Sequence, residues 1–132
     1  MSLGYFSYPM PVNESVLSYA PGSPERKRLK EVLAELKKEQ VDAPMYIGSK
    51  EVRTNKKGTL HPPHDLSHTL GTYSEGNEKH VTQAIDAALA AREGWANMDW
   101  ETRANIFLKA ADLMATKYRP YMNGTTMLGQ SK

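Results

Sequence analysis

Asp99-Trp100-Glu101-Thr102-Arg103-Ala104-Asn105-Ile106-Phe107-Leu108-Lys109-Ala110-Ala111-Asp112-Leu113-Met114 is the stretch that decides how this chain folds. Ile106, Phe107, Ala110, Ala111 and Met114 recur at spacings of three and four, which places them on one side of a 3.6-residue period, while Arg103, Lys109, Asp112 and Lys117 fall elsewhere. Asp99 supplies a carboxylate where the first free N–H groups of a helix need an acceptor. The segment therefore reads as the strongest helix of the chain. Downstream, Arg119-Pro120 restarts the backbone into a short fourth helix, Tyr121 to Leu128, with Gly129 expected as its left-handed terminator. Upstream, a helix capped between Ser74 and Asn77 carries Val81, Ala84, Ile85, Ala88, Leu89 and Ala91 on one stripe and ends on Trp95.

The first helix is marked by Ser23-Pro24-Glu25, a hydroxyl cap followed by proline at the first turn and an acid at the positive dipole end. Leu29, Val32, Leu33 and Leu36 then set its apolar side, and it is expected to end near Gln40. Glu25, Glu31, Glu35 and Glu39 interleave with Arg26, Lys27, Lys30, Lys37 and Lys38, a pattern that reads as a solvated face with i,i+4 partners rather than a membrane-surface helix. Between this helix and the next, Met45-Tyr46-Ile47, Gly48-Ser49 and Lys50-Glu51-Val52-Arg53 predict a two-residue II′ hairpin. Asn55-Lys56-Lys57-Gly58 is expected to turn, and Leu60 and Ser67 to Tyr73 to add a strand or two around Pro62-Pro63. The fold class is α+β: a helix, a small antiparallel ribbon, two longer helices and a short one. Residues 4–22, with Pro9, Pro11 and Pro21 among Tyr5, Phe6, Tyr8 and Tyr19, have no period and read as an extended arm that docks on the body. Residues 1–22 thus form the arm and 23–132 the body, with Met1-Ser2-Leu3 reading equally well as an expression scar.

At 132 residues the chain falls in the single-domain range, yet only 39% of it is hydrophobic, with two Phe and two Trp, so the core is thinly supplied. Seventeen Lys and Arg against 15 Asp and Glu give a formal charge of +2, too balanced for a nucleic-acid footprint. No apolar run reaches the roughly 18 residues a bilayer span needs, and the first residues lack a signal-peptide pattern, so a cytoplasmic protein is expected. The absence of Cys excludes disulfides and a thiol nucleophile from these residues.

Three of the four histidines, His61, His64 and His68, gather with Asp65 around Pro62-Pro63, a combination that suits zinc in residue type. Spacing on a Pro-Pro loop does not make ligands converge as two histidines one helical turn apart would, and a polar turn between strands is the simpler reading. There is no G-x-G-x-x-G after a strand and no G-x-x-x-x-G-K-[ST], and the glycines at 48, 58, 71, 76, 94, 124 and 129 fit turns and helix ends. Asp86, Glu93, Asp99, Glu101 and Asp112 are spaced for caps and helix-surface pairs, not for general acid-base work. Catalytic, cofactor-binding and metal residues are therefore expected to be none.

From Gly22 onward the chain resembles the N-terminal region of the 1-pyrroline-5-carboxylate dehydrogenase branch of the aldehyde dehydrogenase superfamily. The resemblance rests on Gly22-Ser23-Pro24-Glu25-Arg26, on Ala84-Ile85-Asp86-Ala87-Ala88-Leu89-Ala90-Ala91-Arg92 with Trp95, on Arg103 through Leu113, and on Thr126-Met127-Leu128-Gly129-Gln130-Ser131-Lys132. It implies a partial aldehyde dehydrogenase fold whose parent oxidises glutamate semialdehyde to glutamate with NAD in proline catabolism. It also implies that the catalytic cysteine, the general-base glutamate and the cofactor segment come later than the position matching Lys132. The expectation is an inactive N-terminal structural portion whose partners are the remainder of the parent and, through incompletely covered helix stripes, other copies of itself. An independent helical interaction or adaptor domain and a zinc module on His61, His64 and His68 are the competing readings.

Overall fold

The computed structural model describes residues 4, 5, 7, 8 and 10–132. Met1-Ser2-Leu3, Phe6 and Pro9, on which part of the arm's reading rests, lie outside the described residues. The element order is α1 (Pro24–Lys38), β1 (Val41–Ala43), β2 (Met45–Ile47), β3 (Lys50–Val52), β4 (Lys57–Leu60), β5 (Gly71–Ser74), α2 (Glu78–Asn97), α3 (Trp100–Ala115) and α4 (Arg119–Gln130).

The helix starts follow the caps. Ser23 accepts the Arg26 N–H, with Pro24 in the first turn. Asn77 rather than Ser74 caps α2, in a reciprocal box in which Asn77 accepts the His80 N–H and His80 accepts the Asn77 N–H. Asp99 accepts the Thr102 N–H at 2.8 Å. The Thr102 side chain first, and then its backbone N–H, hold the Asp99 carboxyl below its usual range. The fourth helix departs from expectation. It starts at Arg119 and runs through Gly129 to Gln130, and Ser131, at φ 56°, takes the left-handed position assigned to the glycine. Short polar side chains tolerate that conformation better than β-branched ones.

Two small sheets sit between α1 and α2. β2 and β3 form an antiparallel hairpin with Ile47 opposite Lys50. Its two-residue loop has φ +61° at Gly48, while Ser49 is absent from the positive-φ positions, which is the signature of type II′. The other sheet has the order β1-β5-β4, with β4 antiparallel to β5 and β1 parallel to β5. The ribbon is thus not wholly antiparallel. Val41–Ala43 is too short to show a period, and only its partner makes it a strand. Gly71 is required at this junction: its φ is +154°, and a Cβ there would collide with the Val41 carbonyl oxygen. Lys57 and Gly58, expected in a turn, lie inside β4, where Gly58 faces Tyr73 and the tyrosine ring covers it. Residues 67–70 are turn and loop rather than strand.

The core lies where α1 crosses α4. Val32 is 0% exposed and Leu128 5%. Gly124 is the point of closest approach: a Cβ there would lie 3.0 Å from Leu36 Cδ1 and 3.3 Å from Val32 Cγ1. The helices meet because α4 presents hydrogen where α1 presents branched side chains. A rim of polar contacts flanks this pair, with the Tyr121 hydroxyl donating to Glu35 at 3.1 Å and the Arg28 guanidinium donating to Tyr121 at 3.1 Å.

The arm lies against this body. Tyr8 packs on Trp100 with ring centroids 5.1 Å apart. Arg119 donates to the Ser15 carbonyl at 2.8 Å, Asn123 donates to the Tyr19 hydroxyl at 2.8 Å, and Arg26 donates to the Tyr19 carbonyl at 3.3 Å. Glu25 closes the arm onto α1. Its own backbone N–H, with Ser23, the Tyr19 N–H and Ser18, lowers its pKa.

Candidate functional site

The histidine loop does not assemble. His61 uses Nδ1 on the His68 carbonyl at 2.8 Å and Nε2 on the Thr59 hydroxyl at 3.1 Å, so both of its ring nitrogens are engaged locally. His64 points the other way, to the Ser131 hydroxyl at 2.7 Å, and pins the loop to the end of α4. Asp65 accepts from Ser67 at 2.6 Å, and this hydrogen bond lowers its pKa. Among the described residues no three His, Cys, Asp or Glu side chains converge as metal ligands would.

Asp99 acts as a cap. The polar cluster that does form was not legible in the sequence and centres on Asp42. Its Oδ1 accepts from Lys57 at 2.8 Å and Thr72 at 3.0 Å, and its Oδ2 accepts from Arg53 at 2.8 Å. Lys57 first, then Thr72 and Arg53, hold Asp42 below the usual carboxylate range. Arg53 also reaches Glu51 at 3.2 Å, and Glu51 accepts from the Tyr46 hydroxyl at 2.9 Å, so the network ties the hairpin to the three-stranded sheet. Asp42, Tyr46, Glu51, Lys57 and Thr72 sit on strands, and Arg53 directly follows β3. It is a clasp.

β1 and β5 are parallel, and the chain between them passes through three strands and loops with no helix, so the pair is not a strand-helix-strand unit.

What the geometry does offer is an uncovered helical surface. α2 and α3 contain no buried residue. Val81 is 59% exposed, Ile85 54% and Phe107 66%, although all three lie on the apolar stripes. The two helices are joined by Met98 and Asp99, and the ring contact between them is Trp95 edge-on to Phe107 at 6.3 Å, with the Arg103 guanidinium 6.0 Å from the Trp95 centroid. A pair of helices this long with their stripes in water is built to pack on something else.

A partial α+β body with a docked arm and two uncovered helices is what one edge of a larger fold looks like. The chain belongs to the aldehyde dehydrogenase family, whose model matches residues 49–127. Within that family it is 47% identical over 131 residues to the Delta-1-pyrroline-5-carboxylate dehydrogenase of Agaricus bisporus, an alignment covering 98% of this chain and 24% of that protein. It is 37% identical to the mitochondrial Delta-1-pyrroline-5-carboxylate dehydrogenase of Dictyostelium discoideum, over 94% of this chain and 22% of that protein. The Delta-pyrroline-5-carboxylate dehydrogenase of Mycobacterium tuberculosis, solved with NAD, superposes with a TM-score of 0.93 at 36% identity, over 98% of this chain and 24% of that one. The chain thus spans about a quarter of the length of the relatives it matches.

Proposed function

We propose that this chain is the N-terminal structural portion of an NAD-dependent 1-pyrroline-5-carboxylate dehydrogenase, an enzyme that oxidises glutamate semialdehyde to glutamate. The observation that carries the reading is the bare α2–α3 surface on a chain otherwise superposable on such dehydrogenases. In this reading residues 1–22 are an arm and residues 23–132 the first part of the cofactor-domain region. Its contribution is to support a site built by other residues, and none of its own side chains is catalytic, cofactor-binding or metal-binding. The absence of Cys among its 132 residues supports that assignment, because the family's chemistry runs through a thiolate.

The test is NADH formation with pyrroline-5-carboxylate. The chain alone is expected to be inactive, and activity is expected to return when it is co-expressed with the complementary part of the Agaricus bisporus relative. Turnover by the chain alone, or failure of the pair to assemble, would overturn the proposal. The same exposed stripes support self-association of the isolated chain through α2 and α3, read by sedimentation velocity: a clean monomer at every concentration sinks that part. No helix among the described residues is long and apolar enough to cross a membrane. We place the protein in the cytoplasm, and the mitochondrial naming of the Dictyostelium discoideum relative makes the organelle the competing location. Cell fractionation separates the two.

A further inference from the structure

The lysines of α1 are segregated, against the interleaved pairing that the sequence pattern implies. At about 100° per residue, Lys27, Lys30, Ala34, Lys37 and Lys38 fall within an arc of about 100°. All five are exposed. Glu31 and Glu35 lie on the next flank, where both are bound by Arg28 at 3.3 and 3.4 Å, and Glu25 is turned toward Ser18 and the Tyr19 N–H. Among the described residues, Lys27, Lys30, Lys37 and Lys38 form no ion pair with a carboxylate. Four like charges along one edge repel each other.

The same edge borders a concavity. A groove of about 390 Å³ opens between α1 and α4, lined by the apolar Leu33, Ala34, Met127 and Leu128 together with Lys30, Lys37 and His64. Lys30 is shared with a second hollow of about 400 Å³ at the start of α1, beside Arg26 and Lys27. An apolar surface beside a cationic edge is complementary to a ligand with carboxylates along one margin and aliphatic groups next to them.

We propose that this face of α1, with the groove beside it, docks an acidic amphipathic segment of a partner protein. Lys30 and Lys37 are seven residues apart, about 10 Å along the axis. A partner helix with Glu or Asp at i and i+7 and Leu or Met at i+3 and i+4 matches that spacing. A bilayer fits less well, because the apolar side of α1 is spent on α4, where Val32 is fully buried, and cannot insert. Nucleic acid fits less well, because no aromatic side chain interrupts the lysines for bases to stack on.

The probe is a fluorescein-labelled synthetic helix with Glu at i and i+7 and Leu at i+3 and i+4, titrated with the 132-residue chain and read by anisotropy. Saturable binding is expected, weakened about tenfold or more by Lys30→Glu with Lys37→Glu and by replacing the probe's Leu with Ser. It should be retained in Lys30→Arg with Lys37→Arg and in Lys109→Glu, which lies on α3. Far-UV circular dichroism establishes that each variant is folded, and Lys30→Gln with Lys37→Gln replaces the glutamate pair if that pair unfolds. The proposal is overturned if the Ser probe binds as well as the Leu probe, if Lys109→Glu is as damaging as the α1 pair, or if no saturable binding occurs. It is also overturned if phosphatidylserine vesicles are captured and the peptide is not, if the α1 variants abolish self-association instead, which would make the occupant a second copy, or if pairing with the complementary part of the Agaricus bisporus relative abolishes peptide binding, which would make the occupant the rest of the parent.

Discussion

Replacing Val32 by Ala should reveal whether the crossing of α1 and α4 is the true core. Val32 is fully buried and its Cγ1 faces the Gly124 backbone. Removing two methyl-sized groups costs about 1.6 kcal/mol at about 0.8 kcal/mol each. A cavity that the neighbours only partly refill raises the loss to about 2–3 kcal/mol. The reciprocal change, Gly124→Ala, has two opposed effects. Alanine gains about 1 kcal/mol of helix propensity over glycine. Its Cβ would sit 3.0 Å from Leu36 Cδ1 and 3.3 Å from Val32 Cγ1, and such overpacking costs about 1–3 kcal/mol, so the net lies between neutral and about 2 kcal/mol destabilising. In the double variant the new methyl enters the space Val32 vacated, and the flexible end of Leu36 can shift with it. The pair should therefore be less damaging than the sum of the singles by about 1–2 kcal/mol. Urea unfolding followed by far-UV circular dichroism is the appropriate assay, since Trp95 and Trp100 sit on α2 and α3 and report poorly on this crossing. Val81→Ala, at a position 59% exposed, serves as the control and should stay within about 0.5 kcal/mol of the parent. A Val32→Ala loss no larger than that control, or strictly additive singles, would refute the assignment of the core.

Three further outcomes follow from particular contacts. Gly129→Ala should stabilise α4 by about 0.5–1 kcal/mol, because Gly129 lies inside the helix and an added Cβ meets nothing within 4 Å; destabilisation would instead restore it as the terminator. Asn77→Ala should cost about 1 kcal/mol and fray the start of α2, seen as faster amide exchange at residues 78–81, with protection elsewhere unchanged. Asp42→Asn should loosen the clasp between hairpin and sheet and flatten the acid limb of the stability profile. Because the folded pKa of Asp42 is lowered, its contribution is present above the unfolded carboxylate pKa of about 3.9 and is lost as pH falls through the lower folded value. Unfolding midpoints from neutral pH downward test the sign, and an acid limb identical to the parent's would count against it.

Much of the local structure was legible in the sequence because its causes are local. Ser23, Asn77 and Asp99 cap helices by accepting from N–H groups three residues on, and Gly48 selects its turn through its own φ. The apolar stripes of α2 and α3 could also be read, together with their shortage of covering partners. Where the cause is distant along the chain, the local pattern does not carry it. Gly129 has the composition of a terminator but not the backbone, and Gly124, inside the expected fourth helix, has no local reason to be glycine until Val32 and Leu36 are placed opposite it. The glutamates of α1 have the spacing for i,i+4 pairs with lysine, yet Arg28 and Tyr121 draw Glu35 to the other flank.

By itself the amino-acid sequence determined the helices, their caps, the II′ hairpin and the family, since each is written in residues adjacent along the chain or one helical turn apart. Only the tertiary structure decided that α1 pairs with α4, that Val41–Ala43 becomes a parallel strand on β5, that Asp42 joins two sheets and that the three histidines of the Pro-Pro loop part company. Those outcomes depend on which surfaces meet, and a period of 3.6 or 2 residues specifies a face without specifying its partner.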